Sequence, residues 1–113
     1  MDWIIGPADG ENKEQTIVLQ GDMDLYDAPR LADMLLAHID AGNRNLVLDM
    51  SGIDYLDSTG VGVIIRVLQR CKITGGSIRF KGIHGSPRSV LTMSNVIRLM
   101  QELETVVTKG GRK

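Results

Sequence analysis

The chain has little of the residue types that most sharply narrow a function. Its 113 residues include one cysteine, two histidines, three prolines and, for aromatics, one tryptophan, two tyrosines and one phenylalanine. A lone Cys71 rules out an internal disulfide, and a thiolate zinc site lacks its other ligands. With so few aromatics for base stacking and with scattered basic residues, nucleic acid is not an expected direct partner. No segment approaches the roughly 20 uninterrupted apolar residues that cross a bilayer. The opening MDWIIGPADG has neither the basic start nor the long apolar stretch of a signal peptide. These absences point to a cytoplasmic protein without membrane contact.

What is present fits one compact domain. Hydrophobic residues make up 42% of the chain and charged residues 24%, ordinary values for a soluble fold with a real core. Net charge is −1, but the signs are unevenly placed: residues 1–60 carry twelve acids and three bases, residues 61–113 ten bases and two acids. The acids crowd in GDMDLYDAP, where Asp22, Asp24 and Asp27 fall within six residues. Such a loop is either simply solvated or an acidic contact for a basic partner.

Strand and helix signals alternate along the chain. WII, the turn-rich GPADGEN and the β-branched TIVLQG read as two antiparallel strands over residues 2–20. Asp27 precedes Ala28 and Pro29, and Leu31, Met34, Leu35, His38 and Ile39 then recur at helical spacing until Gly42. NLVLDM is a buried-type strand, ending near Asp49 and followed by a loop of about eight residues. STGVGVIIRVLQRCKIT is a second helix with Val61, Ile64, Ile65, Leu68 and Cys71 on one side, closed by GG. SIRFKGI is the next strand. SPRSVLTMSN starts a third helix that turns Val90, Leu91 and Met93 inward, the six methionines as a group reading as core packing. VIRLMQELETVV is either helix or a loop ending in a short strand, and TKGGRK reads as a disordered tail. The alternation predicts an α/β fold: a mixed, mostly parallel sheet with an N-terminal antiparallel hairpin and helices packed against it. In such sheets the working surface lies beyond the carboxyl ends of the strands.

That surface is where YLDSTGVGVIIRVLQR, residues 55–70, begins its helix. Ser58 has two readings. As an N-cap its oxygen accepts a bond from an unpaired first-turn amide, a contribution of about 1 kcal/mol. As an exposed hydroxyl at the positive end of a helix, it suits a phosphate stabilised by the dipole and by free amides. Gly60 and Gly62 likewise read either as close helix-to-strand packing or as a low surface over which another chain approaches Ser58.

Other chemistries fit less well. Asp49 ends a strand as a receiver phosphoaspartate would, but the acidic pair and late lysine of that fold are not evident. A serine hydrolase requires glycine two residues before its nucleophile, where Leu56 stands, and only His38 and His84 are available as a base. His38 lies on the apolar side of its helix, as core histidines do. The GVG segment lacks the third glycine and the lysine of phosphate cradles. No catalytic residue, metal site or cofactor is expected.

The segments LDSTGVG after NLVLDMSGIDY, GDMDLYDAPRL upstream and GGSIRFKGIHGSPRSVLTMS downstream, in that order, closely resemble the bacterial anti-sigma factor antagonists, which are single STAS domains. The likeness runs from Thr16 to Ser94, and its most specific part is D-S-T-G at 57–60. It implies one STAS domain over residues 1–108 with the tail at 109–113. It implies that a serine-kinase anti-sigma factor binds the unmodified chain, frees a sigma factor and phosphorylates Ser58. A serine phosphatase then reverses the modification. By position, the resemblance puts Asp24, Asp57 and Ser58 on the kinase-facing surface; Thr59, an alternative acceptor that the family passes over for the first hydroxyl, and the low Gly60 and Gly62 complete the expected partner-binding surface. Capping and solvation are the structural roles that compete for Asp24 and Asp57. The family often has SG after the third helix, whereas this chain has Ser94 and Asn95, the latter able to take the left-handed turn. STAS domains also serve as non-switching scaffolds or transport-accessory modules, an alternative that the D-S-T-G hydroxyl disfavours.

Overall fold

A computed structural model describes residues 1–101 of the chain. Strand β1 (Asp2–Asp9) turns back into β2 (Glu14–Met23), with Trp3 opposite Leu19 and Ile5 opposite Ile17 in the expected antiparallel hairpin. Helix α1 (Ala28–Asp40) carries the chain to β3 (Asn45–Leu56), and α2 (Ser58–Thr74) carries it to β4 (Ser77–Lys81). Each helix returns the chain to the same end of the sheet, so β2, β3 and β4 pair in parallel. The described strands lie in the order β1-β2-β3-β4. This is the mixed, mostly parallel sheet that the alternating signals predict.

Side chains alternate along the strands, and Ile17, Leu19, Leu46, Leu48, Met50 and Ile78 form one core with the apolar faces of α1 and α2. Leu31, Leu35 and Ile39 enter it from α1, and Ile64, Val67, Leu68 and Cys71 from α2. Burial pushes the Cys71 thiol up to about 11, which keeps it protonated and unreactive. Val47 is buried but belongs to the opposite face of the sheet. Thr16, Val47 and Arg79 share a row there, and Arg79 reaches across β3 to Glu14 at 2.7 Å.

Helix α3 (Gly85–Met93) packs against β3 through the fully buried Leu91, with Val90 partly buried. Met93 does not turn inward as expected: it is 87% exposed. Two residues along a helix is a rotation of about 200°, so a helix that buries Leu91 points Met93 away. The methionines are therefore not uniformly core residues, although Met23, Met50 and Met100 are buried and Met1 and Met34 are partly buried against the core. Asn95 takes the left-handed turn, φ 61°. Residues 96–101 are helical and bury Val96 and Met100, which decides for helix in the first part of VIRLMQELETVV. The rest of that segment, the domain end at 108 and the tail at 109–113 lie outside the described residues.

Candidate functional site

The loop expected between Asp49 and Ser58 is strand instead. β3 continues to Leu56, with Gly52, Ile53, Tyr55 and Leu56 opposite Gln20, Gly21, Asp22 and Met23 of β2. Register shifts on either side of the Gln20 and Gly21 pairs accommodate residues that read as loop. A Cβ on Gly52 would stand 2.7 Å from the Leu19 carbonyl oxygen, so the strands come this close only because the residue is glycine. Asp57 is then the single residue between β3 and α2, and the start of the helix is fixed by the sheet.

Asp57, not Ser58, is the N-cap. Its backbone is extended, φ −105° and ψ −172°, and its Oδ1 accepts from the amides of Thr59 (2.9 Å) and Gly60 (3.1 Å). Its Oδ2 accepts from the Leu25 amide at 3.1 Å, and its own amide donates to the Met23 carbonyl at 3.2 Å. One carboxylate thus joins the β2–α1 connection to the start of α2. Ser58 is the first helical residue, exposed, and its hydroxyl makes no hydrogen bond among the described residues. The sequence offers two adjacent cap-type residues, and the strand register places the first at the boundary. The amides expected to cradle a phosphate are consequently taken by Asp57.

Asp24 has a similar structural task. Its Oδ1 accepts from the amides of Tyr26 (3.0 Å) and Asp27 (2.9 Å), and its carbonyl accepts from Ala28 at 2.8 Å. Asp27, which precedes α1, makes no side-chain cap; its Oδ2 receives the Met1 nitrogen at 3.0 Å. The Asp57 carboxylate thus caps its helix, while that of Asp24 pins the loop ahead of α1 and is not a helix cap; both residues remain partly exposed. Thr59 is half-buried. Gly60 is buried, its position for a Cβ only 2.6 Å from the Met23 carbonyl oxygen, so it supports the site from beneath and presents no surface to a partner. Gly62 has nothing within 4 Å of that position and leaves a low surface beside Ser58.

The cap assignment predicts an asymmetry in stability. Asp57→Ala should cost about 2 kcal/mol, having left three amides without their acceptor, while Ser58→Ala should stay within about 0.5 kcal/mol of the parent. Urea unfolding of both variants checks this, and equal losses would mean that Ser58 shares the cap.

No histidine serves Ser58. His38 is half-buried on α1, hydrogen-bonded to Gln15 Oε1, with its pKa lowered by that burial. His84 Nε2 lies 2.9 Å from the Ser51 carbonyl oxygen. The Asp49 carboxylate is occupied by the Ser51 hydroxyl (2.6 Å) and amide (3.0 Å), and these bonds hold it below the usual carboxylate range. No described helix is long and apolar enough to cross a membrane.

The family model described as "STAS domain" matches residues 10–109. The chain belongs to the STAS domain family. Within it, this STAS domain is 31% identical over 65 residues to the anti-sigma-B factor antagonist of Bacillus subtilis, a match covering 58% of this chain and 59% of that one. It is 28% identical over 81 residues to BtrV of Bordetella bronchiseptica, covering 72% and 70%. The chain thus spans somewhat more than half of the first relative's length. Among solved structures, the Bacillus cell fate determinant SpoIIAA in its phosphorylated form superposes with a TM-score of 0.64 at 14% identity, covering 94% of this STAS domain and 98% of that chain. At that identity the likeness concerns the fold.

Proposed function

We propose that this STAS domain is an anti-sigma factor antagonist in a partner-switching pathway. Unmodified, it binds a serine-kinase anti-sigma factor and so releases a sigma factor; phosphorylated on Ser58, it lets the kinase go, and a serine phosphatase resets it. The reading rests above all on one observation: the Ser58 hydroxyl is exposed and free of hydrogen bonds among the described residues, on a backbone fixed by Asp57. It is supported by the name of the Bacillus subtilis relative and by a phosphorylated form of SpoIIAA. The contact surface comprises Asp24, Asp57, Ser58, Thr59 and Gly62, with Gly60 buried below them. In this reading the chain acts in the cytoplasm without a cofactor or a turnover of its own; the histidines, bonded to Gln15 and to the Ser51 carbonyl, give no support to a serine-hydrolase pair at Ser58.

Incubated with its kinase and Mg·ATP, the protein should gain one phosphate, on Ser58, and Ser58→Ala should gain none. Mass spectrometry decides the matter. Full modification of Ser58→Ala, or modification confined to Thr59, would overturn the assignment.

A further inference from the structure

The four-residue connection between β2 and α1 displays two apolar side chains that contribute nothing to the core: Leu25 is 61% exposed and Tyr26 86%. Their backbone is nevertheless held firmly. The Leu25 amide donates to Asp57, those of Tyr26 and Asp27 to the Asp24 carboxylate, and that of Ala28 to the Asp24 carbonyl. An aromatic ring presented on a pinned backbone loses little freedom when a partner covers it, which is the usual property of an interface anchor. The surroundings are acidic. Asp22, Asp24 and Asp27 lie on the same stretch, Asp54 near the adjoining end of β3 and Asp57 just beyond it. Arg30, the one base in residues 20–30, lies over the Trp3 ring at 4.9 Å, donates to the Met1 carbonyl at 2.7 Å and stands 3.9 Å from Asp27, which also receives the Met1 nitrogen, so Asp27 is compensated and the acidic character rests on Asp22, Asp24, Asp54 and Asp57.

From this arrangement we propose that Tyr26, with Leu25 beside it, is the anchor by which the serine-kinase partner recognises this chain, received in an apolar pocket with a basic rim. The inference rests on the function proposed above and names the partner chemistry of that site. The acid ring is complementary to a basic rim and opposes an acidic competitor. The Asp57 carboxylate holds the anchor's backbone and the start of α2 together, so a phosphate on Ser58 arrives close to the anchor and obstructs the partner's approach without breaking either set of Asp57 bonds.

The test uses the full chain and a kinase recovered from the native cell on immobilised wild-type protein, identified as an ATP-binding serine kinase and produced in pure form. Calorimetric titration should show Tyr26→Ala binding at least tenfold more weakly. Tyr26→Phe and Ile73→Ala, the latter removing an apolar side chain that is 79% exposed on α2, should bind within twofold of wild type. All three should melt like the parent. Tyr26→Ala should also raise the KM for Ser58 phosphorylation while leaving kcat nearly unchanged, and added salt should weaken wild-type binding.

If Tyr26→Ala binds like wild type while wild type is phosphorylated on Ser58, the anchor is wrong and the proposed function stands. Equal losses in Tyr26→Ala and Ile73→Ala also overturn the anchor, as does self-association of the free chain that Tyr26→Ala abolishes without changing kinase binding. A wild-type chain that neither captures a serine kinase nor is phosphorylated on Ser58 overturns the proposed function and the anchor with it.

Discussion

Phosphorylation of Ser58, or its replacement by glutamate, is expected to weaken binding of the kinase more than tenfold and to leave the melting temperature nearly unchanged. The two halves of this expectation have separate causes. In the free chain Ser58 is exposed and unbonded among the described residues, so a phosphate there stays in water and displaces nothing. It gains from the α2 dipole and loses to the neighbouring Asp57 carboxylate, effects of similar and small size. In the complex the same group would be enclosed next to Asp24 and Asp57 with no free first-turn amide at Thr59 or Gly60 to receive it. An uncompensated charge buried at an interface costs several kcal/mol, and about 1.4 kcal/mol already corresponds to tenfold in affinity. Ser58→Ala should bind normally and resist release by ATP. Calorimetry on purified pairs, with melting curves on the free proteins, separates the effects. A phosphorylated form that melts far below the parent would mean that the switch acts by unfolding, and unchanged affinity would mean that Ser58 is not the switch.

Gly60→Val should destabilise the fold by about 2–3 kcal/mol, whereas Gly62→Ala should stabilise it by about 0.5–1 kcal/mol. Both glycines lie in the first two turns of α2, and the sequence treats them alike. At Gly60 a Cβ would meet the Met23 carbonyl oxygen at 2.6 Å and Leu56 Cδ1 at 2.8 Å. That carbonyl accepts the Asp57 amide, so the helix cannot retreat from it without loosening its own start. At Gly62 the added methyl meets open space and only removes backbone freedom from the unfolded chain. Thermal melts should place the two variants on opposite sides of the parent, with Gly60→Val lower by about 10 °C. Parent-like melting of Gly60→Val would contradict the close approach of α2 to β2.

Residues that act through local pattern were legible in advance. The turn-rich GPADGEN between two β-branched runs announced the hairpin, and the helical spacing of Leu31, Leu35 and Ile39 announced α1. D-S-T-G marked the start of α2 and directed attention to Ser58. The extension of β3 was hidden because Ser51, Gly52 and Asp54 are turn-type residues, and only pairing with β2 through shifted register keeps them in a strand. Leu25 and Tyr26 carried no signal beyond two apolar letters among acids.

The sequence by itself determined the α/β class, the antiparallel hairpin, the helices and the order in which they alternate, because apolar period and turn chemistry are properties of neighbouring residues. Tertiary structure alone decided which of Asp57 and Ser58 caps α2, which of Gly60 and Gly62 is buried, and that the Asp57 carboxylate reaches the Leu25 amide. Each depends on contacts between segments some thirty residues apart, or on a register that a single residue would shift, and no local pattern encodes either.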